Sequence, residues 1–295
     1  MKSQFDYYRA DSIEHAISLK NELGTDAYYW AGGTDLVLQW NHEKIHPLHC
    51  IDLTSISGFN FISNHEGLLR IGALTTLSEI EHADTSDAYL HTLAYVTSLM
   101  ATQQTRTIAT IAGNLCNASP AADLLPPLIA MGAYLKVSGN DGERQLPVEN
   151  LLVSPGRTSL KDEELVTEIC IPTDTKTRAS SYRRIDRTVV DISLVGASGA
   201  LTLDDNQMIA TAKIALGSVA PTVIRSSQAE AMLGGKLLTD LDDDFLKAVG
   251  EAAAADATPI SDVRASAEYR KAMVKVLVIK VLRDIVAILT GDEND

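Results

Sequence analysis

Two short segments of small residues carry the strongest chemical signal in this sequence. Ala31-Gly32-Gly33-Thr34-Asp35-Leu36 follows the apolar run Ala27-Tyr28-Tyr29-Trp30 and leads into a helix-like stretch ending near Trp40. Consecutive glycines let backbone N–H groups approach an anion closely, and a helix N-terminus adds partial positive charge. Thr34 adds a hydroxyl donor. The second segment, Thr110-Ile111-Ala112-Gly113-Asn114, is a small-residue turn ahead of another expected helix, with Asn114, Ser119 and Asp123 as polar handles. Either segment alone also fits an ordinary tight turn. Two of them, about 80 residues apart, suit a pyrophosphate held from both sides.

Other chemistry-bearing patterns fit less well. His42-Glu43-Lys44-Ile45-His46 has the spacing of a zinc-protease helix, but Pro47 follows at once and disfavours further helix. A solvated helix end is the expectation there. Gly234-Gly235-Lys236 lacks the first glycine and the Ser/Thr of a phosphate loop, and no G-x-G-x-x-G occurs. Cys50, Cys116 and Cys170 lie far apart, without the pairing of a disulfide, zinc or iron–sulfur set. No side-chain triad stands out, so no catalytic residue is assigned.

The elements that must position the two loops are legible as alternating patterns. Asp11-Ser12 marks a helix start, Gly24 its stop, and residues 48–53 a strand, so the first glycine loop sits in a small βαβ unit. Residues 58–175 mix strands and helices: a strand at 68–72, helices at 88–101 and 120–131 (the latter capped by Ser119), and a hairpin at 134–147. Ile169 falls in an expected strand at 164–171. Beyond the polar stretch at 172–177, residues 180–185, 192–203 and 208–217 read as an antiparallel meander. Three helices follow, near 227–233, 242–255 and 265–289, and residues 291–295 read as an acidic, frayed tail.

The chain has 295 residues, enough for two domains, and a formal charge of −14. Such a surface repels nucleic acid and anionic membranes, so neither is expected as a partner. No apolar run approaches a membrane span and the N-terminus has no signal-peptide core, which points to a cytoplasmic protein.

At the two loops the sequence resembles the FAD subunits and domains of the molybdenum hydroxylases, such as xanthine dehydrogenase and aerobic carbon monoxide dehydrogenase. The family's A-G-G-T-D-L stands unchanged at Ala31 to Leu36. Its Q-x-R-N-x-A-T-I-G-G-N and S-P-x-x-D appear from Gln104 to Asn114 and at Ser119-Pro120 and Asp123, with Thr107 for asparagine and Ala112 for the first glycine. Residues 214–222 resemble a family strand and turn. Asp262-Val263-Arg264-Ala265-Ser266-Ala267-Glu268-Tyr269-Arg270 resembles its D-x-R-x-S-x-x-Y-R segment, and reads as a capped, salt-bridged helix start.

The resemblance implies an α+β fold: a two-lobed FAD-binding domain at 1–175 (lobes 1–57 and 58–175), like that of vanillyl-alcohol oxidase, then a sheet-plus-helices domain at 176–295 covering the flavin ring. It implies that Tyr29, Trp30, Ala31, Gly32, Gly33, Thr34, Asp35 and Leu36 wrap the pyrophosphate together with Thr110, Ile111, Ala112, Gly113 and Asn114. Asp123, at the start of its helix, would accept hydrogen bonds from the ribitol or adenosine half. Ala101, Leu160 and Ile169 would line the pocket. Arg184 or Arg187 would stand near the flavin, with a surface ion pair as the alternative. Ile192 would shield one flavin face, or else be a plain strand core residue.

The implied function is electron relay from [2Fe-2S] clusters to NAD(P)+, with the clusters and a molybdopterin-bound molybdenum on partner iron–sulfur and molybdenum subunits. Among substrates, nicotinate, hydroxylated to 6-hydroxynicotinate, is favoured over purine, carbon monoxide and 4-hydroxybenzoyl-CoA. Two rivals remain: a self-sufficient flavin oxidase, for whose cap domain there is no spare length, and a flavin-free assembly module.

Overall fold

The structure is a computed structural model that describes residues 5–174, 177–188 and 190–291. The domain boundary expected at 175/176 and all but the first residue of the acidic tail lie outside the described residues.

The first lobe is a three-stranded parallel sheet, ordered Asp6–Arg9, His49–Asp52, Ala27–Trp30. Helix Ile13–Leu23 begins where the Ser12 hydroxyl accepts the His15 N–H at 3.1 Å, and ends at Gly24, whose φ of 74° suits glycine. Ala10, Ala16, Ala27, Ile51 and Ile56 form its small core, together with Leu165 of the next lobe. Ala27–Trp30, helix Leu36–Asn41 and His49–Asp52 form the expected βαβ unit, with the glycine loop at the strand's C-terminal end.

The second lobe is a five-stranded antiparallel sheet, ordered Ile62–His65, Leu68–Gly72, Leu165–Pro172, Tyr134–Gly139, Gly142–Pro147. The middle strand is buried from Leu165 through Ile171. Short helices at Leu77–Glu81, Ala88–Ser98, Gln103–Arg106, Ile111–Cys116 and Leu125–Ala130 bury Ile80, Leu93, Leu115 and Leu128 in the lobe's core.

The third unit is a four-stranded antiparallel meander of Arg178–Ile185, Val195–Leu203, Ile209–Gly217 and Ile224–Arg225. Helices Ser227–Leu233, Asp243–Asp256 and Ala267–Thr290 accompany it. The last buries Val274, Leu277, Val278, Val281, Leu282 and Ile285, a stripe at helical spacing that faces the sheet. Tyr182, Ala200 and Ala215 instead join the core of the second lobe, so the sheet is covered on both sides.

Three expectations shift. The helix expected at 120–131 spans only Leu125–Ala130, because Pro126 and Pro127 occupy its first turn, where a missing N–H costs nothing. Ser119 is therefore not its cap, and its hydroxyl instead accepts the Ala121 N–H at 3.3 Å. The helix from Ala88 stops at Ser98, and Ala101 lies beyond it with a φ of 46°. The strand expected from Ile192 begins at Val195. The His42–His46 pattern is not helical, since the helix ends at Asn41. No described helix is long and apolar enough to cross a membrane.

Candidate cofactor site

A cavity of about 550 Å3 opens between the first two lobes. One wall is the loop after Ala27–Trp30. The opposite wall is the start of helix Ile111–Cys116, and the floor includes Leu165 and Val166 of the middle strand.

The first wall requires its glycines. A side-chain carbon on Gly32 would overlap the carbonyl oxygen of Ile108, so this loop packs backbone to backbone on the segment before Thr110. Gly33 has a φ of 69°, and a Cβ there would stand 2.8 Å from the Trp30 indole. Among the described residues, the N–H groups of Gly32, Gly33, Thr34 and Asp35 have no protein acceptor. The carbonyls of Gly33 and Asp35 already accept Val37 and Gln39 N–H groups at 3.0 and 2.9 Å, so the unengaged donors cluster at a helix N-terminus. Burial raises the Asp35 carboxyl above its ordinary value.

The second wall is built differently from the expected turn. Thr110 is itself an N-cap: its hydroxyl accepts the Gly113 N–H at 3.1 Å and its carbonyl accepts the Asn114 N–H at 3.0 Å. The Ile111 and Ala112 N–H groups donate to Thr75 and Ala73 carbonyls at 3.0 and 3.3 Å. All four amides are satisfied within the protein, so they cannot wrap a pyrophosphate as the first loop can. What this wall offers instead is the Asn114 side chain, whose Oδ1 is buried without a hydrogen-bond partner among the described residues. An orphaned buried acceptor costs about 1–3 kcal/mol, which a ligand donor at this position would recover.

The cavity gathers most of the expected residues and leaves others out. Tyr29, Ala31, Gly32, Gly33, Thr34, Asp35, Leu36, Thr110, Ala112, Gly113, Asn114 and Leu160 line it. The Tyr29 hydroxyl donates to the Glu163 carbonyl at 2.9 Å, and burial, reinforced by Asp162 and Glu163, pushes its pKa well up. Trp30 does not line the cavity and packs against Phe5, ring centroids 6.0 Å apart. Ile111 and Ile169 are fully buried in the core of the second lobe. Ala101 uses its carbonyl to accept from Arg106 at 3.1 Å.

The remaining four lie in or beside the third unit rather than at the cavity. Asp123 precedes its helix by two residues and accepts from the Tyr182 hydroxyl at 2.5 Å and Arg184 at 2.6 Å. Burial pushes the Asp123 carboxyl up, against the pull of Arg184 and Tyr182. Arg184 also donates to the Leu99 carbonyl at 2.8 Å and pairs with Asp186 at 2.8 Å. Arg187 pairs with Asp191 at 2.9 Å, the surface ion pair considered for it. Ile192 is 55 % exposed, which removes the core reading.

Several lining residues escaped the sequence reading. Gln39 donates to Asn117 at 3.0 Å and ties the two helices of opposite walls together. Glu164 also lines the cavity, held below the usual carboxylate range by Arg144, at 2.7 Å through both oxygens, against the opposing effect of burial. Gln39 stands one helical turn after Asp35, a signal that could have found it. Glu164 meets its partner across 20 residues, which no local pattern reveals.

Comparison with known proteins defines the class. Residues 3–174 match the model of the FAD binding domain in molybdopterin dehydrogenase, and residues 180–285 that of the CO dehydrogenase flavoprotein C-terminal domain. The chain belongs to the FAD-binding medium-subunit family of the molybdenum hydroxylases. It is 31% identical over 278 residues to the 6-hydroxypseudooxynicotine dehydrogenase complex subunit alpha of Paenarthrobacter nicotinovorans, covering 94% of this chain and 93% of that one. The nicotinate dehydrogenase FAD-subunit of Eubacterium barkeri is 26% identical, with 99% of each chain covered. Among solved structures, a carbon monoxide dehydrogenase from Hydrogenophaga pseudoflava superposes with a TM-score of 0.91 at 28% identity, over 97% of this chain and 99% of that one. The glycine cradle, the free N–H groups and the orphaned Asn114 oxygen fit FAD.

Proposed function

We propose that this chain is the flavin subunit of a heteromeric molybdenum hydroxylase of the cytoplasm. It would relay electrons from [2Fe-2S] clusters on one partner subunit to NAD(P)+, while a second partner holds the molybdopterin-bound molybdenum. The observation that carries the reading is the set of four N–H groups at Gly32–Asp35, unengaged among the described residues, in a loop that lines the same cavity as Asn114. Bound FAD would accept electrons singly and release them in pairs as hydride. The chain's own residues bind and orient: Gly32, Gly33, Thr34 and Asp35 donate to the pyrophosphate, Asn114 Oδ1 accepts from the ligand, and Leu160 and Tyr29 pack beside it. No side-chain acid or base is needed for hydride transfer. The clusters belong on a partner because each usually needs four thiolates and this chain has three cysteines, two of them buried.

Nicotinate, converted to 6-hydroxynicotinate, is the proposed substrate of the complex. Support comes from the likeness to two subunits whose names refer to pyridine compounds. Related complexes acting on purines, carbon monoxide or 4-hydroxybenzoyl-CoA are the alternative.

The test uses the purified chain loaded with FAD. It should pass electrons from NAD(P)H to an artificial dye and hydroxylate no heterocycle until iron–sulfur and molybdenum subunits are added. Hydroxylation by the metal-free chain alone refutes the subunit reading. A colourless chain that never takes up FAD would instead favour the flavin-free assembly module.

A further inference from the structure

Strands Leu152–Ser154 and Arg157–Thr158 form a hairpin that pairs with no other strand among the described residues. Ser159 closes its neck, its N–H and hydroxyl donating to the Leu151 and Asn150 carbonyls at 2.8 and 2.7 Å. The segment is fixed at both ends. Leu151 is fully buried before it, and Glu164, held by Arg144, is buried after it. Between those anchors Val153, Pro155, Gly156, Arg157 and Ser159 are exposed. A two-stranded hairpin with so little buried surface is marginally stable on its own, and such segments open at low cost.

Gly156, Thr158, Leu160, Lys161 and Asp162 nevertheless line the cavity between the first two lobes. The segment also touches both sides of that cavity. At the hairpin's tip, the Gly156 N–H donates to the Ala118 carbonyl at 2.9 Å, just past helix Ile111–Cys116. At its base, Asp162 pairs at 3.0 Å with Lys20 of the first lobe. The adjoining Glu163 carbonyl accepts from the Tyr29 hydroxyl at 2.9 Å, a second tie to that lobe. Lys20 is only 6% exposed and also donates to the Gly24 and Ala27 carbonyls, so it stays in place without Asp162. Asp162, 60% exposed, is the partner free to leave. We propose that residues 152–163 are a hinged cover of the cavity, which swings out to admit FAD and is held shut by Lys20 through Asp162. Lys20 is thereby a positioning residue for cofactor uptake rather than only a cap on its own helix. This inference rests on the reading of that cavity as the FAD site.

The experiment follows FAD uptake by the cofactor-free full-length chain, native and Asp162→Ala, through the change in flavin fluorescence on mixing. Asp162 is exposed, so the variant should melt near the native temperature. The uptake rate should level off at high FAD, because opening of the cover then limits it. That ceiling should stand about two- to fivefold higher in Asp162→Ala, the worth of one half-exposed ion pair. Added salt should raise the native ceiling and leave that of the variant where it is. Without FAD, deuterium exchange at the Gly156 amide, which reports seating of the tip, should quicken in the variant by a similar factor. Uptake that climbs linearly with FAD at equal rates in both proteins, with Gly156 exchange unchanged, overturns the cover and leaves the FAD reading standing. A native chain that takes up no FAD removes that reading, and the cover with it.

Discussion

The Asp123 carboxylate and the Arg184 guanidinium stand 2.6 Å apart, joining the FAD-binding half to the first strand of the C-terminal sheet. Their side chains are 10% and 6% exposed, so water screens the pair little. Removing one member of a buried pair leaves the other charge uncompensated, which costs about 3–5 kcal/mol. Arg184→Ala should therefore lower stability by that order, read as a shifted denaturant midpoint. The Asp186 carboxylate, which Arg184 also holds at 2.8 Å, adds to the loss. A change below about 1 kcal/mol would mean that the two halves are held together chiefly by their apolar contacts.

A side chain in the glycine wall would disturb the backbone that holds the cofactor. Gly33→Val should abolish FAD retention, because the branched side chain meets the Trp30 ring and the left-handed backbone disfavours it. Gly113→Val should also weaken retention, while displacing the Thr110 cap. The ratio of flavin to protein absorbance after purification measures both. Each variant should also lose the rise in melting temperature that excess FAD confers on the native chain. Full retention in both would refute the assignment of these walls.

Ile192 separates a role in access from a role in packing. Being exposed, Ile192→Ala should change folding stability by no more than about 0.5 kcal/mol. Oxidation of the reduced flavin by oxygen or a bulky dye should still be faster. Unaltered oxidation kinetics would free Ile192 for some other use.

Acid should loosen the second lobe through Glu168. Burial opposes its charge, but Arg70, Cys170 and Lys136 hydrogen-bond it strongly enough to bring its pKa down to about 2. A depressed carboxyl stabilises the fold above its unfolded pKa near 4.5, and that stabilisation is lost as pH falls from there through about 2. Full conversion would be roughly 3 kcal/mol. Arg70 is 41% exposed, so solvent screening leaves about 1–2 kcal/mol. Glu168→Gln should flatten the stability profile in this window. An identical acid slope in both proteins would place the sensitivity elsewhere.

The larger helices and strands were legible because each carries its own local signal. Ser12 and Gly24 bracket the first helix, and the apolar stripe from Val274 to Ile285 declares the last one. The short helix at Ile111–Cys116 was hidden, because Thr110 as a cap and Thr110 as a turn residue look alike in sequence. Pro120 after Ser119 has the pattern of a helix start, but Pro126 and Pro127 hold the first turn. Of the candidate site, the loop Ala31 to Leu36 is legible in sequence and lines the cavity, whereas Trp30 lies outside the lining, against Phe5. Asn114 was found as a handle, but its orphaned oxygen depends on packing around Thr110 and Gly113 that only the fold reveals. The pairing of Asp123 with Arg184 spans 61 residues and left no trace in either segment.

The unequal hydrogen bonding of the two walls has a consequence in time. The amides of 111–114 are already bonded inside the protein, so their exchange with deuterated solvent should be slow with or without FAD. Those of Gly32–Asp35 have no acceptor among the described residues and should exchange rapidly until the pyrophosphate takes them up. The backbone of one wall is thus already bonded, while the other keeps its donors for a ligand. Deuterium uptake on adding FAD should fall at 32–35 and hardly move at 111–114; equal slowing at both would show instead that the cofactor assembles the second wall as well.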